Sequence, residues 1–399
     1  MSCGGTMDDG LEHLLLEGAP FIDVRAPVEF ARGSLPGAIN LPLLDDEQRE
    51  QVGLCYKTSG SDAAIALGKS LLTPHLLAER LQGWVAFIND NPGSHMFCFR
   101  GGLRSKSVQQ LLAENGYDIP LISGGYKRIR QSLLDTIEFT AHNLDLLVLA
   151  GRTGSGKTRL LQQLSFSIDL EGLAHHRGSS FGRLLEPQPT TVSFENSLAI
   201  ELLRHQRQQN LDTKNRKPVL LEDEARLIGR VALPISLKKR METMPAVLLE
   251  EPLSRRIAVA KSDYVDDLAD MYRRHYCERK ESHQSREEAE QQGMDAFAAY
   301  HRDALGRIRK RFGGQRTTEA LRLFDKAFAR HCRDADTADY DDFIAYILQS
   351  YYDPMYDYQM DGKTRDIVFS GDAAAILEWY QQTYVQPQQS PAIPVPANC

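Results

Sequence analysis

At 399 residues, with 42% hydrophobic and 25% charged residues, the chain has an ordinary globular composition and exceeds the size at which one core keeps growing, so two domains are expected. A formal charge of −7 excludes an overall cationic scaffold, and six cysteines without a C-x-x-C pair fit neither a disulfide framework nor a cysteine-rich zinc site. The start, MSCGGTMDDG, has no basic leader, and eighteen successive apolar residues occur nowhere, so a cytoplasmic protein without a membrane span is expected.

In chain order, PFIDVRAPVEFARGSLPGAINLP gives a buried strand, a short helix, a turn carrying Gly33, Pro36 and Gly37, and a second strand. HMFCF is another strand, and SVQQLLAENGY a helix stopped by Gly116. A further strand is expected over IPLIS, ending at Gly124 and Gly125. Strands alternating with helices imply an α/β fold with parallel sheets. A second such unit opens at LDLLVLAGRTGSGKTRLLQQL and continues with the strand PVLLEDE. The expected division is 8–135, 143–261, a mostly helical region 262–385, and a Pro-rich tail 386–399.

Charge is uneven. Residues 1–60 hold four Lys/Arg against ten Asp/Glu, whereas 255–330 hold seventeen against thirteen. A solvated helical face and an RNA-facing surface both explain the basic stretch.

Two loops carry candidate chemistry. FCFRGGLRS places Cys98 at a strand-to-helix junction, where backbone N–H groups, the helix dipole, Arg100 and Arg104 favour a thiolate. The interval from Cys98 to Arg104 is C-x5-R, wide enough for a tetrahedral oxyanion, and it resembles the rhodanese and related phosphatase loops. GRTGSGKT, comprising Gly151, Arg152, Thr153, Gly154, Ser155, Gly156, Lys157 and Thr158, satisfies G-x-x-x-x-G-K-[ST] between a strand and a helix. Lys157 would meet phosphate oxygens and Thr158 a Mg²⁺ ion. Glu222, Asp223 and Glu224 are candidates for a carboxylate on the metal side, the first and last sharing one strand face.

The order of DVRAPVEF, GSLPGAINLP, FCFRGGLRS, SGGYKRIR, GRTGSGKT, HHRGSSFG, PQPTTVSFEN, LLEDEARLIG and YYDPMY resembles the tRNA 2-selenouridine synthase family, a rhodanese-like domain followed by a P-loop domain. Phe99 and Leu103 stand where that family usually has Trp and Met. The resemblance implies a transferase acting on the wobble 2-thiouridine of tRNA. The sulfur is geranylated from geranyl diphosphate, and the S-geranyl group is then replaced by selenium from selenophosphate. It also implies that Cys98 attacks the selenium of selenophosphate, releasing phosphate and leaving a perselenide, and that Gly151–Thr158 holds geranyl diphosphate. No tightly bound organic cofactor is expected.

Substrate or tRNA contacts are expected at His176, Arg177, Gly178 and Ser179, at Lys127 and Arg128 with Arg130, and at Arg309, Lys310 and Arg311. The rival reading is a C-x5-R phosphatase or sulfurtransferase fused to an NTP-binding regulatory domain. A third is a non-catalytic module whose loops merely hold anions.

Overall fold

The computed structural model describes residues 7–211, 216–281, 283–361 and 365–385. The expected tail, 386–399, lies outside the described residues. The chain forms two compact units, Met1–Asn143 with Pro189–Arg207, and Leu144–Gln188 with Gln208–Cys399. Both contain parallel sheets flanked by helices, in agreement with the α/β reading.

The sheet of the first unit is short. Strands β1 (Phe21–Asp23), β2 (Ala38–Asn40) and β3 (His95–Phe97) run parallel in the order β2-β1-β3. Ile22, Val24, Met96 and Val108 are fully buried in its core, as is Trp84, whose ring N–H donates to Leu41 O at 2.9 Å. The strand expected over IPLIS is only a bridge between Leu121 and Met96. Pro120 accepts from Met96 N but has no N–H to extend the ladder.

Pro189–Arg207, most of the helix Thr191–Leu211, belongs to the first compact unit, whereas the sequence reading placed it within the expected domain 143–261. Phe194, Leu198 and Leu202 are fully buried. Asn196 donates to Ser34 O at 2.8 Å and to the Tyr126 hydroxyl at 3.1 Å. Gly33 lies so close to this helix that a Cβ there would stand 2.4 Å from Val192 Cγ1.

In the second unit, β4 (Leu146–Gly151) is central and every residue of it is buried. β5 (Ser167–Ile168), β6 (Val219–Glu222), β9 (Ala246–Leu249) and β10 (Ile367–Gly371) complete a parallel sheet of order β10-β9-β4-β6-β5. The hairpin β7 (Leu227–Ile228) and β8 (Val231–Ala232) stands apart. Long helices at Arg286–Phe312 and Gly314–Asp334 match the helical reading of 262–385, but β10 returns from that region to the sheet. Ile367 and Val368 on this edge strand are 38% and 41% exposed, so no alternation marks the strand in the sequence. Among the described residues no helix is long and apolar enough to cross a membrane.

Two candidate active-site loops

In the first unit β3 ends one residue before Cys98, and the helix Leu103–Glu114 begins five residues after it. Cys98 is 3% exposed. Its Sγ accepts from Gly102 N at 3.3 Å and from the Ser105 hydroxyl at 3.2 Å. Burial pushes the thiol pKa up, but hydrogen bonds from the Ser105 hydroxyl and from the backbone of Ser105, Arg100 and Gly102 outweigh it, and the net shift is downward. The thiolate is thus favoured chiefly by N–H and O–H dipoles, and its charge is in turn one of the influences that raise Arg104.

The glycine pair of SGGYKRIR closes the loop from behind. Tyr126 N donates to Cys98 O and Lys127 N to Phe99 O, both at 2.9 Å. Gly125 has φ +58, and a Cβ there would stand 2.2 Å from Cys98 O and 2.4 Å from Gly101 N. Only a glycine allows that crossing.

The cations expected beside Cys98 divide. Arg104 is held by Glu29 through two hydrogen bonds, one of 3.2 Å, and its pKa is raised because that partnership outweighs its burial. Arg100 is exposed, its guanidinium 5.9 Å from the Phe99 ring centroid. Lys127 is exposed, while Arg128 pairs with Asp8 at 3.1 Å and Arg130 pairs with Glu195 and Asn196. Arg130 therefore ties Gly125–Asn143 to Thr191–Leu211. Beneath them Arg25 forms a buried ion pair with Asp23 at 2.6 Å and lies 3.7 Å from the Tyr126 ring centroid. The sequence reading assigned no role to Ser105, Glu29, Asp23, Arg25 or Asn196. The signal was present only in the strings DVRAPVEF, PQPTTVSFEN and, for Ser105, FCFRGGLRS.

In the second unit the P-loop leaves β4. Gly154 and Gly156 have φ +82 and +84, and a Cβ on Gly154 would stand 2.8 Å from Arg256 O. Arg256 Nε in turn donates to Thr153 O at 3.0 Å and its guanidinium pairs with Asp353 at 2.6 Å. Arg152 pairs with Asp357 at 2.6 Å. Ser155 is buried, and its Oγ has no hydrogen-bond partner. Lys157 Nζ folds onto Gly151 O at 3.1 Å. The Thr158 hydroxyl donates to Glu222 Oε1 at 2.8 Å and lies 3.2 Å from Glu171 Oε2.

The alternation at the end of β6 resolves the three carboxylates. Glu222 faces Thr158, whereas Asp223 pairs with Arg365 at 3.0 Å. Glu224 lies on the side of Glu222, where Lys157 lowers its pKa and Glu222 raises it. Glu171, which the sequence reading missed, joins them. Its place in the first turn of Leu170–Leu173, after the capping Asp169, looks like an ordinary helix start. Burial, then the charges of Glu171 and Asp169, pushes Glu222 up to about 8. Glu171 and Glu224 are raised as well, chiefly by burial.

HHRGSSFG lies against this cluster. A Cβ on Gly178 would stand 2.0 Å from Glu171 Oε1 and 3.1 Å from Glu224 Oε1. His176 is buried, with a pKa lowered by burial and by Arg307. Arg177 is bound to Asp263 O and lies 3.6 Å from Asp267. Ser179 Oγ accepts from Phe181 N at 3.1 Å. Arg309, Lys310 and Arg311 occupy the last turn of Arg286–Phe312 and are exposed. Tyr351 and Tyr352 are core residues.

Among the described residues no group of three or more His, Cys, Asp or Glu side chains is placed to hold a metal by itself. The Thr158–Glu222 pair nevertheless fits Mg²⁺, which commonly takes one or two protein oxygens and completes its shell with phosphate oxygens and water.

Comparison with known proteins finds two domain matches along the chain. The rhodanese-like domain matches residues 7–132, and the tRNA 2-selenouridine synthase AAA domain matches residues 144–387. A tRNA 2-selenouridine synthase of Shewanella frigidimarina is 45% identical over 92% of this chain and 95% of its own length. Those of Marinobacter nauticus and Hahella chejuensis are 43% and 44% identical, over 93% and 92% of this chain and 96% and 92% of theirs. With both domains matched in order and nearly the whole chain aligned, the chain belongs to the tRNA 2-selenouridine synthase family.

Proposed function

We propose that this chain makes 2-selenouridine in tRNA by two group transfers, one at each loop. The observation that carries this reading is the allotment of one stabilised thiolate to the first unit and one phosphate cradle with acidic partners to the second.

In the first transfer the thiocarbonyl sulfur of 2-thiouridine attacks C1 of geranyl diphosphate. A C–S bond forms, the C–O bond breaks, diphosphate leaves with the electron pair, and the base loses its N3 proton. Lys157 and the N–H groups of Gly151–Thr158 stabilise the departing anion. Thr158 and Glu222 would hold Mg²⁺, which supplies further positive charge there.

The second transfer uses Cys98. Attack of the thiolate on selenium with release of phosphate, as the family resemblance suggested, leaves two electrons unaccounted for. Attack on phosphorus balances: the S–P bond forms, the P–Se bond breaks, and selenide leaves with the pair and takes up a proton. Water then returns the S-phosphocysteine to thiol and phosphate. Selenide adds at C2 of the S-geranylated base, the C2–S bond breaks, and geranylthiol departs. A loop whose N–H groups surround the thiol and whose width suits a tetrahedral oxyanion supports attack at phosphorus. The protein is then a transferase acting on tRNA, with selenophosphate and geranyl diphosphate as its small substrates and the cytoplasm as its place of work.

Mass spectrometry of nucleosides from 2-thiouridine tRNA incubated with each donor alone and with both tests the sequence of steps. Geranyl diphosphate alone gives the S-geranyl nucleoside, and both donors give 2-selenouridine. Selenouridine formed from selenophosphate alone would remove the first transfer. Phosphate release from a generic phosphoester without tRNA would favour the phosphatase reading.

A further inference from the structure

The hairpin β7–β8 follows the carboxylates of β6 and pairs with no strand of the main sheet. Its inner side chains are anchored, Ile228, Val231 and Leu233 being at most 2% exposed. Gln188 staples its tip: Nε2 donates to Ile228 O and to Ala174 O at 2.9 Å, and Oε1 accepts from Arg230 N at 2.8 Å. Gly229 has φ +61, and a Cβ there would stand 2.1 Å from Gln188 Oε1 and 2.6 Å from His176 Cδ2. The turn is therefore closed down on HHRGSSFG, whose Gly178 lies against Glu171 and Glu224. From the other flank, Lys238 Nζ of the helix Ile235–Thr243 donates to Glu224 O at 2.8 Å. A firmly held hairpin thus stands next to the carboxylates of the P-loop site.

Its outward side chains have the opposite character. Arg226 and Arg230 are exposed, and among the described residues neither guanidinium has an acidic partner. Leu227 is 57% exposed, and Ile235, at the start of the next helix, 58%. Cations on a turn already ordered gain counterion release from a polyanion with little further ordering cost. An unpaired RNA loop offers phosphates to those cations and bare base faces to guanidinium planes and aliphatic flanks.

We propose that this hairpin is a tRNA-docking element, in which Arg226 and Arg230 meet phosphates flanking the base presented to the P-loop site and Leu227 covers a neighbouring unpaired base. The proposal rests on the reading that tRNA reacts at that site. Fluorescence anisotropy of labelled 2-thiouridine tRNA with the full chain, repeated across salt concentrations, tests it. Arg226→Ala with Arg230→Ala weakens binding about tenfold or more and lowers the slope of log affinity against log salt by about 1.5, since two phosphate contacts are lost. Arg226→Lys with Arg230→Lys keeps the slope, because the charges remain. Leu227→Ala weakens binding several-fold at an unaltered slope.

Wild-type binding with an unchanged affinity and slope in the folded alanine double variant overturns the hairpin while sparing the tRNA reading. A wild type without affinity for 2-thiouridine tRNA overturns both. Unfolding in urea reports whether the double variant is folded. If it is not, Arg226→Gln and Arg230→Gln taken singly decide, each expected to lower the slope by about half as much.

Discussion

Cys98 shows how a single side chain is made reactive by competing effects. Its burial opposes ionisation, and the hydroxyl of Ser105 with the N–H groups of the loop reverses the balance. Ser105→Ala therefore raises the thiol pKa, and alkylation by iodoacetamide at neutral pH slows several-fold, with its pH profile moved to higher pH. An unmoved profile would remove Ser105 from the thiolate's support. Glu222 carries the opposite lesson, since its pKa rises from 4.5 to about 8 in the folded chain. The folded state then binds this proton more tightly than the unfolded state, so the stabilisation is complete below about 4.5 and lost as pH rises through about 8. Urea unfolding without added divalent cation should show the second unit weakening across that window, and Glu222→Gln should reduce the slope. Cys98, Lys157 and Thr158 were legible because their chemistry depends on short local strings. Ser105 and Glu171 were not, because a serine in a first helical turn and a glutamate after a capping aspartate are common in helices that do nothing else.

Among the elements, the helix Gly125–Asn143 positions the cysteine loop through its first residues, and Thr191–Leu211 steadies it through Asn196 and Glu195. Gly125→Ala would force a positive φ on an alanine, at about 1–2 kcal/mol, and would drive its Cβ into Cys98 O. The first unit should unfold at lower urea concentration, and Cys98 alkylation should slow even where the protein stays folded. Normal stability and reactivity would show that the crossing is less close than 2.2 Å implies. At the end of Arg286–Phe312, replacing Arg309, Lys310 and Arg311 together with alanine should weaken tRNA binding and flatten its salt dependence. An unchanged slope would make them a solvated helix end. Periodicity revealed most of these elements, but not their partners. The pairing of β10 with β9 joins residues more than a hundred positions apart, and the return of 189–207 to the first unit depends on Gly33, Asn196 and Tyr126 meeting in space. No window along the chain contains either contact.

For the molecule as a whole, two rounds of chemistry are assigned to two compact units, each with its own sheet, core and reactive loop. The α/β class and the order of the domains could be read from the chain because each loop follows an apolar strand and precedes a helix. The meeting of Glu171 with Glu222 could not, since the two stand 51 positions apart in the chain. The assignment makes the two steps separable by substitution. Removal of a single electrostatic contact to a leaving anion commonly costs on the order of a hundredfold in rate, and loss of a nucleophile abolishes its step. The most direct measurement is mass spectrometry of tRNA nucleosides after incubation of the Cys98→Ser and Lys157→Ala proteins with both donors, in parallel on 2-thiouridine tRNA and on tRNA already geranylated. Cys98→Ser should accumulate the S-geranyl nucleoside and form no selenouridine on either tRNA, while Lys157→Ala should leave 2-thiouridine unchanged yet selenate the geranylated tRNA. Selenouridine from Cys98→Ser, or ordinary geranylation by Lys157→Ala, would contradict the account.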